Sequence, residues 1–208
     1  MSLRVRPSEA PAAMPGFEHI KRYWDAKAGI WVARIAPGEF YITRLDEMIS
    51  TVLGSCVAAC IRDVERNIGG MNHFLLPAEV DTDALVSQAT SYGTFAMESL
   101  INELLKNGAR RPFMEAKVFG GGRMISGMSD VGARNVDFVL DYLQTEGIRI
   151  ASRDLGGDGA RALQYFPLTG RARMKRLNRV QEQAVVAEEK KFKSEVEVAP
   201  VAGEIDLF

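Results

Sequence analysis

Apolar residues along the chain follow two spacings, one typical of strands and one typical of helices. Alternating or continuous short apolar runs predict eight strands: WVARIA (31–36), EFYITR (39–44), SCVAACIRD (55–63), NIGGMNHFLLP (67–77), FMEAKVF (113–119), IRIASRDLGG (148–157), ALQYFPLT (162–169) and RARMKRL (171–177). Helical spacing predicts helices over 94–107 and 131–147, which end at Gly108 and Gly147. Pro37-Gly38 predicts the turn between the first two strands.

Because strands dominate both halves and only two helices are predicted, the pattern indicates an α+β fold. We expect a layered α/β sandwich of mostly antiparallel or mixed strands, with the two main helices on one face. Residues 1–18 are rich in Pro, Ala and Ser and are predicted to form a flexible leader. The working domain spans 19–180. The charged tail, 181–208, is expected to be loosely ordered, with some helix.

Composition excludes several classes of function. Lys and Arg total 26 against 27 Asp and Glu, so no net field favours nucleic acid. With two His, two Cys and no C-x-x-C or H-E-x-x-H motif, no dedicated metal site is expected. The Pro- and Gly-containing N-terminus does not resemble a signal peptide, and no apolar run is long enough to insert into a membrane. We therefore expect a cytoplasmic protein.

Cys56, in the motif LGSCVAAC, follows Gly-Ser at the start of a strand-like run. Small neighbours leave a thiol approachable and adjacent backbone N–H groups free, as a nucleophile requires. A small buried side chain at a strand start is the alternative explanation, because free cysteines are usually buried. We assign only that structural role to Cys60.

The position of His73 makes a catalytic role of Cys56 about as well supported as a purely structural one. Opposed residues in an antiparallel hairpin have numbers with a constant sum, so Cys56 and His73 face each other if the turn is centred between 64 and 65, where the sequence is polar. Directly opposed side chains have Cβ atoms about 5 Å apart. A one-residue bulge near Gly69-Gly70 would instead move His73 to the other face, leaving it a structural histidine.

A thiol and an imidazole in contact suit acyl transfer at an amide, because the imidazole can activate the thiol and protonate a leaving amine. A third group usually orients the imidazole, and Ser50 and Thr51 are the nearby hydroxyl candidates. Backbone N–H groups around Ser55 and Cys56 could form an oxyanion hole.

The segments LGSCVAACIRD and GGMNHFLLP resemble the signature of the chemoreceptor glutamine deamidases, the CheD family of bacterial chemotaxis. The resemblance continues through INELLKNGA, AKVFGGG, GARNVDFVLDYLQTEGI and DLGGDGARALQYFPLTGRARMKRL, and covers about 19–179. It implies an α/β sandwich distantly similar to Rho-deamidating bacterial toxins. It also implies a cytoplasmic enzyme that converts glutamine side chains of methyl-accepting chemotaxis receptors to glutamate and needs no cofactor.

Carried over by motif, the resemblance assigns the nucleophile to Cys56 and the base to His73. The family's third catalytic residue is a threonine, and counting back from the cysteine places Ser50 there, with Thr51 one residue later. The serine hydroxyl substitutes for the threonine, or Thr51 takes the role in a shifted backbone. Implied partners are the receptors and, in some members, a chemotaxis phosphatase or response regulator.

Two other functions remain open from the sequence. The same Cys-His pair could serve a cysteine hydrolase of different amide specificity, such as a peptidase or a transglutaminase-like enzyme. The chain could also be a chemotaxis docking module with weak or no catalysis. A basic stretch from Arg171 to Arg179 could bind an acidic partner, although its alternation predicts a solvated strand face.

Overall fold

The computed structural model describes residues 9–76, 83–124 and 131–198. Within these residues the chain forms ten strands and three helices: β1 (Lys21–Asp25), β2 (Ile30–Arg34), β3 (Phe40–Thr43), β4 (Glu47–Leu53), β5 (Val57–Asp63), β6 (Ile68–Asn72), α1 (Asp83–Lys106), β7 (Met114–Gly120), α2 (Val131–Thr145), β8 (Arg149–Leu155), β9 (Arg161–Phe166), β10 (Arg171–Arg176) and α3 (Arg179–Val198). A short 3-10 turn, Arg111–Phe113, precedes β7. No helix in this part of the chain is both long and apolar enough to cross a membrane.

The strands form two mixed sheets. Sheet I has the order β1-β2-β4-β9-β10, and sheet II has the order β3-β6-β5-β7-β8. Each sheet contains one parallel pair, β2 with β4 and β7 with β8, while the other pairs are antiparallel. The predicted fold class, a layered α+β sandwich with mixed strands, is confirmed.

Burial shows how the layers are stacked. Strand β6 is buried at every position and β5 at all but one, so the middle of sheet II is covered on both faces. Helices α1 and α2 pack on one face of sheet II. Sheet I alternates buried and partly exposed positions along β9, as expected for a sheet with one face toward the core. Sheet II, the central layer, carries the Cys56–His73 hairpin.

Two strands that the pattern did not predict are β1 and β4. Strand β4 begins with Glu47, a charged residue that is 1% exposed. Its carboxylate is bonded by Tyr41, Thr43 and Arg22, contacts that no local pattern indicates. The turn at Pro37-Gly38 does connect β2 with β3, but these strands lie in different sheets. Helix α1 begins at Asp83, eleven residues before the predicted start.

The ends of the chain make more contacts with the core than we expected. Phe17, within the predicted leader, is buried and packs edge-on against the rings of Phe40 and Tyr41. Helix α3 covers most of the predicted tail, and its Val185 and Glu189 are buried. This order comes from contacts of α3 with distant loops, which local sequence does not encode. That 19–180 is an independent domain stays a prediction.

Candidate active site

The hairpin that carries the two predicted site residues is present, with a different register. Cys60 pairs with Met71, and Val57 with Phe74, so paired numbers sum to 131 instead of 129. The prediction that Cys56 and His73 are directly opposed is therefore wrong. The shift is by two residues, which preserves the face of each side chain. Cys56 becomes a diagonal neighbour of His73 on the same face, where Cβ atoms are typically about 7–8 Å apart.

The turn of this hairpin explains the shift. One carboxylate oxygen of Asp63 accepts hydrogen bonds from the backbone N–H groups of Glu65 and Arg66. Asn67 then adopts a left-handed conformation with a φ of 49°. This Asx-type turn centres the connection between Glu65 and Arg66, one position later than the polar break in the sequence indicates.

His73 is held by Thr51 across the space between the two sheets. The Thr51 hydroxyl lies 2.8 Å from His73 Nδ1 and donates its only proton to the carbonyl of Ile35, also at 2.8 Å. The hydroxyl oxygen must therefore accept from Nδ1–H, which leaves the lone pair on Nε2. His73 Nε2 is buried and has no hydrogen-bond partner among the described residues. A general base needs this tautomer.

Ser50 and Thr51, the two candidates for the third position, lie on opposite faces of β4. Along β4, Glu47, Ile49, Thr51 and Leu53 are all at most 4% exposed and share the inward face. Ser50 alternates to the other face of the strand, since successive strand side chains point to opposite sides. The hydroxyl that contacts His73 belongs to Thr51, so this geometry favours Thr51 over Ser50 as the third residue, and the catalytic role of either residue stays a prediction.

The loop before Cys56 has all three of its carbonyl groups held by the body of the protein. Gly122 N–H donates to the Gly54 carbonyl, and Gly121 N–H donates to the Cys56 carbonyl, both at 2.7 Å. The Ser55 carbonyl accepts from the side-chain amide of Asn135 at 2.8 Å. The backbone N–H groups of the same three residues point away from these bonds, toward α3.

These N–H groups converge on one carboxylate. Glu189 Oε1 accepts from the N–H groups of Gly54 and Cys56, each at 3.0 Å. Glu189 Oε2 accepts from the Ser55 N–H at 3.1 Å and from its hydroxyl at 2.7 Å. A loop that binds a side-chain carboxylate through three backbone donors can hold an oxyanion in the same place.

Burial and the carboxylate together set the protonation states of the pair. Burial raises the pKa of the Cys56 thiol well above its ordinary value, and the negative charge of Glu189 raises it further. Burial lowers the pKa of His73 to about 4, although the Glu189 charge opposes that shift. With α3 in place, the site therefore holds a thiol and a neutral imidazole.

A cavity of about 120 Å³ opens beside His73. It is lined by the turn at Gly38, by Asn72 and His73, and by Tyr92 and Ala96 of α1. Its size corresponds to about four water molecules, each of which takes about 30 Å³ in the liquid. The cavity therefore has room for water near His73.

Comparisons with known proteins show the family to which the chain belongs. A family model described as CheD chemotactic sensory transduction matches residues 75–176. A protein of Halorhodospira halophila named probable chemoreceptor glutamine deamidase CheD is 49% identical to this chain, and the match covers 100% of this chain and 98% of the relative. A protein of the same name in Hahella chejuensis is 43% identical, and that match covers 100% of this chain and 99% of the relative. A relative in Dechloromonas aromatica named probable chemoreceptor glutamine deamidase CheD 1 is 48% identical, over 92% and 96%. The chain belongs to the CheD family. The predicted family membership is thereby confirmed.

Sequence reasoning on this CheD family chain missed two residues at the site. Asn135 is fully buried in α2, where it accepts from the Leu76 N–H and donates to Ser55. Its position on the inward side of a predicted helix was the available signal, because a buried amide in an apolar helix face requires partners. Glu189 lies 133 residues from Cys56 in sequence. Nothing local connects the two residues.

Proposed function

We propose that the chain hydrolyses glutamine side chains of chemoreceptors to glutamate, with Cys56 as the nucleophile and His73 as the general acid and base. The names of its relatives support the reaction and the substrate class. The observation that carries the mechanism is the loop of Gly54, Ser55 and Cys56, whose N–H groups bind a carboxylate beside the Cys56 thiol. A glutamine carboxamide has nearly the same shape as that carboxylate.

The first half-reaction forms a thioester. His73 Nε2 takes the proton from Cys56, and the thiolate attacks the carboxamide carbon of the substrate, forming the C–S bond. The carbonyl oxygen becomes an oxyanion and accepts from the N–H groups of Gly54 and Cys56. The His73 imidazolium then protonates the nitrogen, the C–N bond breaks, and ammonia leaves.

The second half-reaction consumes water. Neutral His73 takes a proton from a water molecule. The resulting hydroxide attacks the thioester carbon, the C–S bond breaks, and the sulfur takes the proton back from His73. The balance is glutamine and water in, glutamate and ammonia out.

Thr51 acts as a positioning residue in this scheme. It makes no contact with the substrate, but its bond to Nδ1 keeps the Nε2 lone pair available in both half-reactions. We expect the reaction in the cytoplasm, because the resemblance to the family implies receptor segments located there. Regulation by a chemotaxis phosphatase or response regulator stays a prediction.

The test is incubation of a receptor cytoplasmic fragment with the purified chain, followed by peptide mass spectrometry and measurement of ammonia. We expect a gain of about 1 Da at particular glutamines, lost by at least about 10⁴-fold in Cys56→Ala, as for other enzymes that lose their nucleophile. Cys60→Ala is the matched control, because Cys60 is an equally buried thiol on the same strand-forming segment. It should retain activity.

The same assay separates the alternatives. Peptide-bond cleavage without ammonia would indicate a cysteine peptidase using the same pair. Tight receptor binding with neither product would indicate a docking module. Full deamidation by Cys56→Ala would contradict the proposed mechanism.

A further inference from the structure

Helix α3 crosses the candidate active site with one face toward the body. Its inward residues are Glu182, Val185, Glu189 and Phe192, and its described residues Glu188 and Lys190 are exposed. The inward residues are spaced by three, four and three positions, which places them on one helix face. This is also the spacing by which one helix of a coiled coil presents its seam.

The floor under this face has a glycine beneath three of the four inward side chains. A Cβ built on Gly54 would lie 2.9 Å from both carboxylate oxygens of Glu189, and one on Gly38 would lie 2.7 Å from the Phe192 ring. A Cβ on Gly159 would collide with the Glu182 carboxylate. The three glycines lie in separate loops, so the groove that they form is shaped to receive a helix closely along about 15 Å of its length.

At the centre of the groove, Glu189 stands where the reaction product would stand. Oε1 occupies the position between the Gly54 and Cys56 N–H groups, and Oε2 lies against Ser55. In the proposed reaction, Oε1 of Glu189 corresponds to the carbonyl oxygen of the substrate glutamine. Oε2 corresponds to the departing nitrogen or to the incoming hydroxyl. A glutamate carboxylate on a helix is the product of that reaction.

We propose that α3 is an internal product mimic, which occupies the groove that binds the substrate helix and presents Glu189 as the glutamate product. This inference rests on the proposed function. It assigns the groove floored by Gly38, Gly54 and Gly159 as the receptor-binding surface. The partner that fits it is a single amphipathic helix with glutamine at the position of Glu189 and apolar residues four positions before and three after, as Val185 and Phe192 are.

The mimicry has a regulatory consequence. Receptor helix and α3 cannot occupy the groove together, so α3 must leave before a receptor glutamine enters. The outward face of α3 carries charged residues, and the helix is tethered to β10, so it can leave the groove while remaining attached. Because the receptor can bind only while the tethered α3 is undocked, its apparent affinity equals its intrinsic affinity multiplied by the fraction of time that α3 is undocked.

The decisive experiment makes the mimic a substrate. In the full-length chain, the glutamine introduced by Glu189→Gln should be converted back to glutamate by the enzyme itself, seen as a gain of about 1 Da. Trypsin releases this position within the segment 180–190, and fragmentation of that peptide locates the gain. The matched control is Glu188→Gln, one residue away on the exposed side of α3, which should keep its glutamine.

Four outcomes bear on the proposal. Conversion at 189 but not at 188, lost when Cys56→Ala is added, supports it. Equal conversion at both positions, or conversion that persists without Cys56, overturns it because that chemistry is spontaneous or non-selective. An unconverted Glu189→Gln variant that still deamidates a receptor fragment also overturns it, while leaving the proposed function intact. Failure to convert receptor glutamine as well would reject the proposed function itself.

A second measurement tests competition directly. Glu189→Ala removes the carboxylate from the groove and should lower KM for a receptor fragment by about tenfold, as expected if α3 is docked about 90% of the time. Glu188→Ala, which changes the charge equally, should not lower it. A KM for Glu189→Ala equal to that of the unaltered chain would overturn the competition between α3 and the receptor.

Discussion

The loop of Gly54, Ser55 and Cys56 is held differently on its two sides. On the body side, three donors from α2 and the segment after β7 bind its three carbonyl groups. On the α3 side, one carboxylate accepts from its three N–H groups. The body contacts involve two backbone amides and a fully buried Asn135, whereas the α3 contact depends on a single side chain.

This difference separates a permanent frame from a replaceable ligand. Because Gly121, Gly122 and Asn135 hold the three loop carbonyl groups, the loop N–H groups point into the groove whether or not Glu189 is present. Donors that are oriented before the substrate arrives need no reorganisation during the reaction, which is the main requirement of an oxyanion hole. His73 belongs to the same frame, since Thr51 and the Ile35 carbonyl fix its ring from sheet I.

The largest effect should come from breaking the frame at His73. Thr51→Val removes the acceptor for Nδ1–H, and we expect kcat for receptor deamidation to fall by about 100-fold. That is less than the loss expected for a charged orienting residue, because a neutral hydroxyl contributes less to imidazolium stability. Steady-state ammonia release measures this change.

Ser50→Ala is the matched control for Thr51→Val, since it removes a neighbouring hydroxyl from the outward face of β4. It should leave kcat unchanged, and Thr51→Ser should restore most of the activity. Equal losses in Thr51→Val and Ser50→Ala would contradict the geometry-based assignment. A loss in Thr51→Val that Thr51→Ser does not rescue would indicate a packing role instead.

The parts of this frame differ in how far the sequence predicts them. The hairpin, Cys56, His73 and the candidate loop donors all lie within one local segment, 54–74, where apolar runs and a polar turn are sufficient evidence. The face shared by Cys56 and His73 also follows, because an error of two residues preserves strand parity. The register itself depends on hydrogen bonds that the Asp63 carboxylate accepts from the turn backbone, which a polarity pattern does not specify.

The remaining parts require contacts between sheets and across the chain. The sequence does not show which of the two hydroxyls, Ser50 or Thr51, faces His73. That follows only from β4 being a strand of sheet I in which Glu47 faces inward. Helix α3 has a polar composition typical of a solvated tail, and only Val185, Glu189 and their inward neighbours reveal its docked face. Such a face depends on a partner surface assembled from distant loops, so its sequence alone does not identify it.

An intermediate effect should follow from weakening the frame beneath the loop. Asn135→Ala leaves the Ser55 carbonyl and the Leu76 N–H without their partner, which should lower the free energy of unfolding by about 2 kcal/mol. The loosened loop should also reduce kcat by about tenfold while KM changes little, because its N–H groups no longer all point at the position of the oxyanion. Denaturant unfolding and ammonia release measure the two effects.

Asn107→Ala serves as the control for Asn135→Ala, since the Asn107 side chain, one residue past the end of α1, donates to Glu103 and makes no contact with the loop. It should leave kcat unchanged. If Asn135→Ala loses stability but keeps its full kcat, the amide supports the fold without positioning the loop, and the frame would not include it.

The smallest effect tests the replaceable side of the comparison. Glu189 raises the pKa of the Cys56 thiol, so Glu189→Ala should lower that pKa and increase the thiolate fraction at any fixed pH. Only the thiolate reacts with iodoacetamide, so Cys56 should be alkylated several-fold faster at about pH 7 in Glu189→Ala, with a rate that rises with pH in both proteins. Cys60 provides the internal reference, because burial raises the pKa of its thiol without any contribution from Glu189. Equal acceleration at both cysteines would mean that the substitution loosens the whole fold, whereas acceleration at Cys56 alone would assign the effect to the loss of the Glu189 contact, through the removed charge and the release of α3 together.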